Sequence, residues 1–236
     1  MQAITSVTKS ESGFTEGLKA GISIAIGYMP VALTFGLLAR TTGLTLYEAV
    51  LMSVLVFAGA AQYITLSLLA IGTGAFEIIF TIFIVNIRHL LMSASINEKV
   101  MEDTPWKKAI YAFGITDETF TVSATKHGEI TTGYMYGLCL ISYSSWVAFT
   151  GGGYIVGASL PSVVQQGMSV ALYAMFIGLL IPSAKKSRKV LFLAGVAALL
   201  NSLFTWAHFS TGWAIVLATL LSSILVEWII GRNKNE

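Results

Sequence analysis

Four stretches of this sequence run on for the length of a membrane crossing, or longer, without a charged side chain: 20–39, 49–76, 130–184 and 190–226. A helix needs about 20 apolar residues to cross the hydrocarbon core of a bilayer. The third stretch is long enough for two crossings, with "GGGYIVGASLP" as its break, and the fourth for two more, broken at "FSTG". Only 11% of the residues are charged and 55% are hydrophobic, against roughly 25% charged in a soluble domain. The expected fold is therefore an all-α polytopic membrane protein with about seven apolar segments, some broken or re-entrant. The segments fall near 20–39, 48–72, 76–96, 130–150, 164–184, 190–208 and 212–230. No stretch outside them is long enough for a soluble domain, so 1–236 reads as one membrane-transport domain.

A net charge of +2 carries no nucleic-acid footprint. The first residues are polar (Lys9, Glu11, Glu16) and lack the apolar core of a cleavable signal. Cys139 lies in an apolar run, where it reads as a small buried hydrophobe. No His or Cys pair has metal-ligand spacing and there is no phosphate loop, so no cofactor is expected.

Basic residues set the expected orientation. Lys99, Lys107, Lys108 and Lys126 follow the third segment, Lys185, Lys186, Arg188 and Lys189 the fifth, and Arg232 and Lys234 the seventh. If each segment crosses once, all three clusters share one side, the cytoplasm, and the C-terminus lies there. The N-terminus, with Lys9 and Lys19, then falls outside, against the rule, unless 20–39 enters and returns without crossing. An internal echo joins "GISIAIGY" at Gly21 to "GMSVALYA" at Gly167, each opening a segment that later holds a proline, Pro30 and Pro182. Internal repeats of this kind occur in secondary transporters.

The candidate site residues are those that oil does not favour. Pro30, flanked by Gly27 and Gly36, either kinks its helix or breaks it and exposes backbone toward an interior site. "FAGAAQY" offers the same choice: Gly59 lets another backbone come close, and Gln62 brings two donors and an acceptor into the membrane. In "FIVNIRHLLMSASI", helical spacing puts Asn86, His89 and Ser93 on one face, a candidate substrate face, with Arg88 nearly opposite as an anchor or ion-pair partner. His89 can also relay protons. Between Thr104–Pro105, a helix start, and Lys126–His127–Gly128, a helix stop, lies "FGITDETF". Either this is a pair of surface helices with Thr116 or Asp117 as a cap, or it is a re-entrant hairpin that holds Asp117 and Glu118 at membrane depth. Re-entry fits the charge bias better than a full crossing, and intramembrane acids mark ion or substrate pathways. Asp117, the shorter acid and the better cap, is the expected proton carrier. Asn201 and His208, seven apart, read as packing contacts on one helix face, and Glu227 beside Trp228 as an interfacial anchor.

"GYMPVALTFG", "FAGAAQYITLSLL", "NIRHLLMSASI" and "TDETF", in this order and spacing over residues 15–160, resemble the AzlC family, the large subunit of branched-chain amino acid exporters. Gly27, Pro30, Gln62, Asn86, Arg88, His89, Asp117 and Glu118 belong to these motifs. The resemblance implies a bacterial cytoplasmic-membrane protein, a small AzlD-type partner subunit, and export of leucine, isoleucine, valine or close analogues such as methionine. Broken helices suit such a cargo, since a zwitterion in oil needs amide donors for its carboxylate and carbonyls or an amide for its ammonium. A channel or scaffold subunit is the alternative. An intramembrane enzyme would have to be built from His89 with Asp117 and Glu118.

Overall fold

The helices follow in the order α1 (Gln2–Thr41), α2 (Leu46–Leu55), α3 (Gly59–Ala70), α4 (Ala75–Asn97), α5 (Pro105–Phe113), α6 (Asp117–Thr125), α7 (Thr132–Val156), α8 (Ser162–Lys186), α9 (Arg188–Trp206) and α10 (Thr211–Arg232). The computed structural model describes residues 2–232, among which the longer regular elements are all helical. Lys234 lies outside them. Each of the seven apolar segments is helical over most of its length, the second being interrupted at Val56–Ala58. By length and composition Gly13–Thr41, Ala75–Asn97, Arg188–Trp206 and Thr211–Ile229 can each cross a membrane. The helices gather into two compact units. One holds the chain up to Tyr63 with Asn86–Leu172; the other holds Ile64–Val85 and the chain from Tyr173 on.

The first unit is built on α1 and α7, which lie side by side and run in the same direction. A Cβ on Gly17 would stand 2.0 Å from the Tyr134 carbonyl oxygen, one on Gly36 2.1 Å from that of Thr150, and one on Gly153 2.0 Å from that of Leu33. Glycine is needed here because backbone touches backbone, the usual close contact of membrane helices. Gly153→Ala is expected to destabilise the protein by roughly 1–3 kcal/mol through overpacking. Gly27→Ala is expected to be tolerated, because nothing lies within 4 Å of a Cβ there. Detergent-titrated unfolding of both variants checks the contrast, and equal midpoints would refute the close approach.

Taking the start of α1 as the lower end, α2 descends and the chain then turns back. Leu44 receives a hydrogen bond from Tyr154 near the top of α7, and Val54 one from Tyr143 lower down. Thr45 starts α2 with a capping box closed by Glu48. The helix stops at Val56, and α3 begins three residues later at Gly59. Tyr63 then reaches back up α1, donating to the Val31 carbonyl at 2.7 Å and packing edge-on against Phe35. In α4, Arg88 lies level with Asp117, and Lys99, just beyond the helix, donates to the Ala124 carbonyl. This stretch therefore runs downward, against α1.

A second hairpin enters from below. In α5 the Lys107 carbonyl receives Tyr136, and the Tyr111 carbonyl receives Cys139, one turn higher on α7. In α6, Thr116 bonds Tyr28 of α1, whereas Lys126 pairs with Glu16 near the lower end of α1. Residues 105–125 thus rise and return without crossing, as the sequence suggested. Below them Asp103 takes hydrogen bonds from Lys107, Thr132 and the Thr104 amide, which hold its carboxyl down to about 2.

Two alternatives left open by the sequence are decided. Pro30 does not break its segment: α1 is helical from end to end. Close packing on α7 holds it, and Ser145 donates to the Ala25 carbonyl in the turn beneath the proline. It is 46–70, not 20–39, that enters and returns, because its middle lacks regular helix at Val56–Ala58. The lower half of α1, with Glu16 and Lys19, consequently lies toward the same end as Lys99 and Lys126, and the conflict with the charge bias disappears.

In the second unit α9 and α10 form an antiparallel hairpin tied by Lys189 and Glu227. Ser210 donates to Glu77 at 2.6 Å. His208 sits outside α9, in the left-handed region at φ 62°, because the turn into α10 reverses the chain within a few residues. The expected Asn201–His208 helix face therefore does not form.

Candidate functional site at the hairpin tips

Both hairpins turn beside Tyr28. Its hydroxyl lies 2.7 Å from Thr116 Oγ1 and donates to Glu118 Oε2 at 2.6 Å. Its ring packs edge-on against Phe57, at the turn of the upper hairpin, and against Trp146 of α7. Tyr143, also on α7, meets Phe57 on one side and Phe113, at the turn of the lower hairpin, on the other. The aromatic side chains of α1 and α7 thus bridge two turns that enter from opposite ends.

Each break exposes backbone that oil will not solvate, and α7 supplies partners. Tyr143 donates to the Val54 carbonyl at 2.9 Å in the last turn of α2. Cys139 makes a weaker contact with the Tyr111 carbonyl in α5. Thr119 Oγ1 donates to the Gly114 carbonyl at 3.0 Å. Of the two caps the sequence offered, Thr116 and Asp117, it is Thr116 that caps α6, reciprocally bonded with Thr119. Asp117 is instead the first helical residue, where the positive end of the helix favours a carboxylate. From there it pairs with Arg88 at 2.9 Å. Glu118, one residue on, turns to Tyr28. The adjacent acids point apart, as helical spacing demands, and have different partners.

On the upper hairpin Gln62 is fully buried. Its amide nitrogen donates to Ser53 Oγ at 3.0 Å, and its oxygen receives the Trp146 indole N–H at 2.7 Å. Ser53 in turn lies 2.9 Å from Thr150 Oγ1. Gly59 admits the indole, since a Cβ there would stand 2.9 Å from it. Gln62 and Gly59 therefore fasten the hairpin to α7.

The sequence-derived candidates thus separate into three groups, with Asn86 and His89 apart from them. Arg88, Asp117 and Glu118 come together at the start of α6. Gly59 and Gln62 brace the other hairpin. Gly27 and Pro30 are plain helix in α1, and Gly27 faces open space. Asn86 Oδ1 and Arg88 Nε are buried without a partner among the described residues. His89 has no hydrogen bond or ion pair there. Tyr28, Tyr143 and Trp146 are neighbours of the site that sequence reasoning passed over, and Thr116 was read there only as a cap. A tyrosine hydroxyl in mid-span, which must find a partner, was the available signal for Tyr28 and Tyr143.

Helices long enough to span a membrane, two short helix pairs that turn back, and polar groups collected where they meet are the features of an integral membrane protein. The model of the AzlC protein family matches residues 23–160, more than half of the sequence. The chain belongs to the AzlC family. It is 34% identical over 218 residues to an uncharacterised membrane protein of Archaeoglobus fulgidus, covering 91% of this chain and 94% of that one. It is 31% identical over 214 residues to the inner membrane protein YgaZ of Escherichia coli, with 86% and 85% covered. A more distant relative, 25% identical over 184 residues with 75% and 70% covered, is the branched-chain amino acid transport protein AzlC of Bacillus subtilis. No solved structure matches.

Proposed function

We propose that this protein is a proton-coupled secondary transporter that exports leucine, isoleucine, valine and the similarly sized methionine. It works in the cytoplasmic membrane with an AzlD-type small subunit. The family and the name of the Bacillus relative support amino-acid transport. The observation that carries the reading is the meeting of two re-entrant turns at Tyr28, where Glu118, Thr116 and the Arg88–Asp117 pair gather. Half-helices of this kind let a transporter present helix ends and ionisable groups to cargo at mid-depth. Asn86 and His89 remain part of the proposed substrate face. Gly59 and Gln62 act on it by bracing the upper hairpin. The lower end of the first unit, with Lys99, Lys107 and Lys126, is read as cytoplasmic under the charge rule, and so is the C-terminus.

Counterflow in liposomes tests this reading. Vesicles loaded with unlabelled leucine should take up labelled leucine when they hold this chain together with its small subunit. Unlabelled isoleucine, valine and methionine should compete, and lysine and glutamate should not. Uptake no greater than in empty vesicles, with and without the small subunit, would remove the proposal.

A further inference from the structure

We propose that the Arg88–Asp117 ion pair is a clamp for zwitterions, which the cargo opens by taking the place of both partners at once. This inference rests on the transport reading and assigns the charge recognition within it. The cargo carboxylate binds the Arg88 guanidinium, and its ammonium binds Asp117.

Three observations carry it. The pair is made by a single contact, Arg88 Nη2 to Asp117 Oδ2 at 2.9 Å. Arg88 Nε, on the same edge of the guanidinium, is buried and has no partner among the described residues. That edge is the one a carboxylate grips with both oxygens, and here it is half used. The pair is also open: 37% of the Arg88 side chain and 24% of the Asp117 side chain are exposed. Charges at membrane depth are costly against lipid and line cavities instead, so a side of the pair left uncovered by protein is where a polar cargo can be received. Finally, Asp117 is the first residue of α6, and the helix end continues to favour its carboxylate when Arg88 is drawn away.

The ligand class follows from charge balance. Opening the pair with nothing in its place strands two charges in a poorly solvated site. A carboxylic acid replaces Asp117 but leaves Asp117 itself unpaired, and an amine strands Arg88. A molecule bearing both charges a few bonds apart restores both contacts and adds no net charge. The side chain of an amino acid is not involved in this step, so the clamp recognises the class and the surrounding apolar residues choose the member.

The test compares three ligands of equal bulk on the full chain reconstituted with its small subunit: leucine, leucinamide, which has no carboxylate, and 4-methylpentanoate, which has no ammonium. Leucine should compete for labelled-leucine counterflow and raise the melting temperature, and the other two should do neither at tenfold higher concentration. In the double variant Arg88→Gln/Asp117→Asn, which keeps the shape and leaves no lone charge, counterflow should fall about 100-fold, the loss expected for two charge-assisted contacts. Competition by leucinamide or 4-methylpentanoate comparable to that of leucine would overturn the clamp in wild-type protein alone, whatever the variant does. A normally melting double variant that exchanges leucine at the wild-type rate would also overturn it while leaving the transport reading intact. Wild-type protein that neither exchanges leucine nor is stabilised by it would fail the transport reading, and the clamp with it.

Discussion

Glu118→Gln is expected to reduce proton-driven leucine efflux to the background of empty vesicles while leucine–leucine exchange continues. The glutamine keeps the size of the side chain and can still accept from Tyr28, but it cannot load or release a proton. Sequence reasoning favoured Asp117 for this role; the contacts favour its neighbour. Protonating Asp117 would break its pair with Arg88. Glu118 faces two hydroxyl-bearing residues, Tyr28 and Thr116, and no cation among its hydrogen-bond partners. A hydroxyl can donate to a carboxylate or accept from a carboxylic acid, so that site serves both protonation states without being dismantled. Tyr28→Phe should weaken the coupling without abolishing it, since Glu118 keeps its place on α6. The measurement is efflux from preloaded vesicles under imposed gradients across about pH 6 to 8. Normal gradient-driven efflux by Glu118→Gln at every pH would show that another group carries the proton.

The largest loss of stability from a single truncation is expected at Gln62. Gln62→Ala opens a cavity in a fully buried site and strands the Trp146 indole N–H. Together these should cost about 3–5 kcal/mol. Gln62→Leu fills the volume and leaves only the orphaned indole donor, so it should cost about 1–3 kcal/mol. Trp146→Phe in the Gln62→Leu background removes that donor as well and should recover part of the loss. Unfolding midpoints of wild type and the three variants measure these losses. Equal stability of Gln62→Ala and wild type would mean that the Ser53–Gln62–Trp146 chain does not hold the upper hairpin to α7.

The helices were legible in the sequence because their signal is local. Apolar runs, Thr104–Pro105 and Lys126–Gly128 place helices and their ends without knowledge of what they touch. The turn at Gly114–Thr116 was legible too, since glycine, a capping threonine and two acids interrupt an apolar stretch. For the upper hairpin a break at Phe-Ala-Gly-Ala-Ala-Gln-Tyr was one of two open readings, and the reversal of direction there was not legible. Residues 49–76 form one uncharged run of spanning length, and a run that turns back at Val56–Ala58 has the same composition as one that continues. Pro30 left kink and break equally open. A proline weakens a helix by one hydrogen bond, but the glycine contacts along α7 lie far from it in sequence and decide the outcome. Gly36 against Thr150 and Gly153 against Leu33 could not be foreseen from either segment alone. The site divided along the same line. The acids and Arg88 stood out as residues foreign to oil, whereas the assignment of Arg88 to Asp117 and of Glu118 to Tyr28 depends on how three helices meet.

The two arms of the upper hairpin are ten and twelve residues long, and those of the lower hairpin nine each. None reaches the roughly 20 residues that a segment needs to settle across a bilayer by itself. During synthesis these arms have no stable resting place until a long neighbour is there to receive them. For the first hairpin that neighbour includes α7, which leaves the ribosome more than sixty residues after α3 has been made. Until then the 46–70 region exists only as a hydrophobic stretch that the insertion machinery can thread straight through. The bonds that Tyr143 and Trp146 of α7 make to the hairpin can form only after α7 has been made. Slow emergence of α7 would prolong the interval in which quality-control proteases can find the chain.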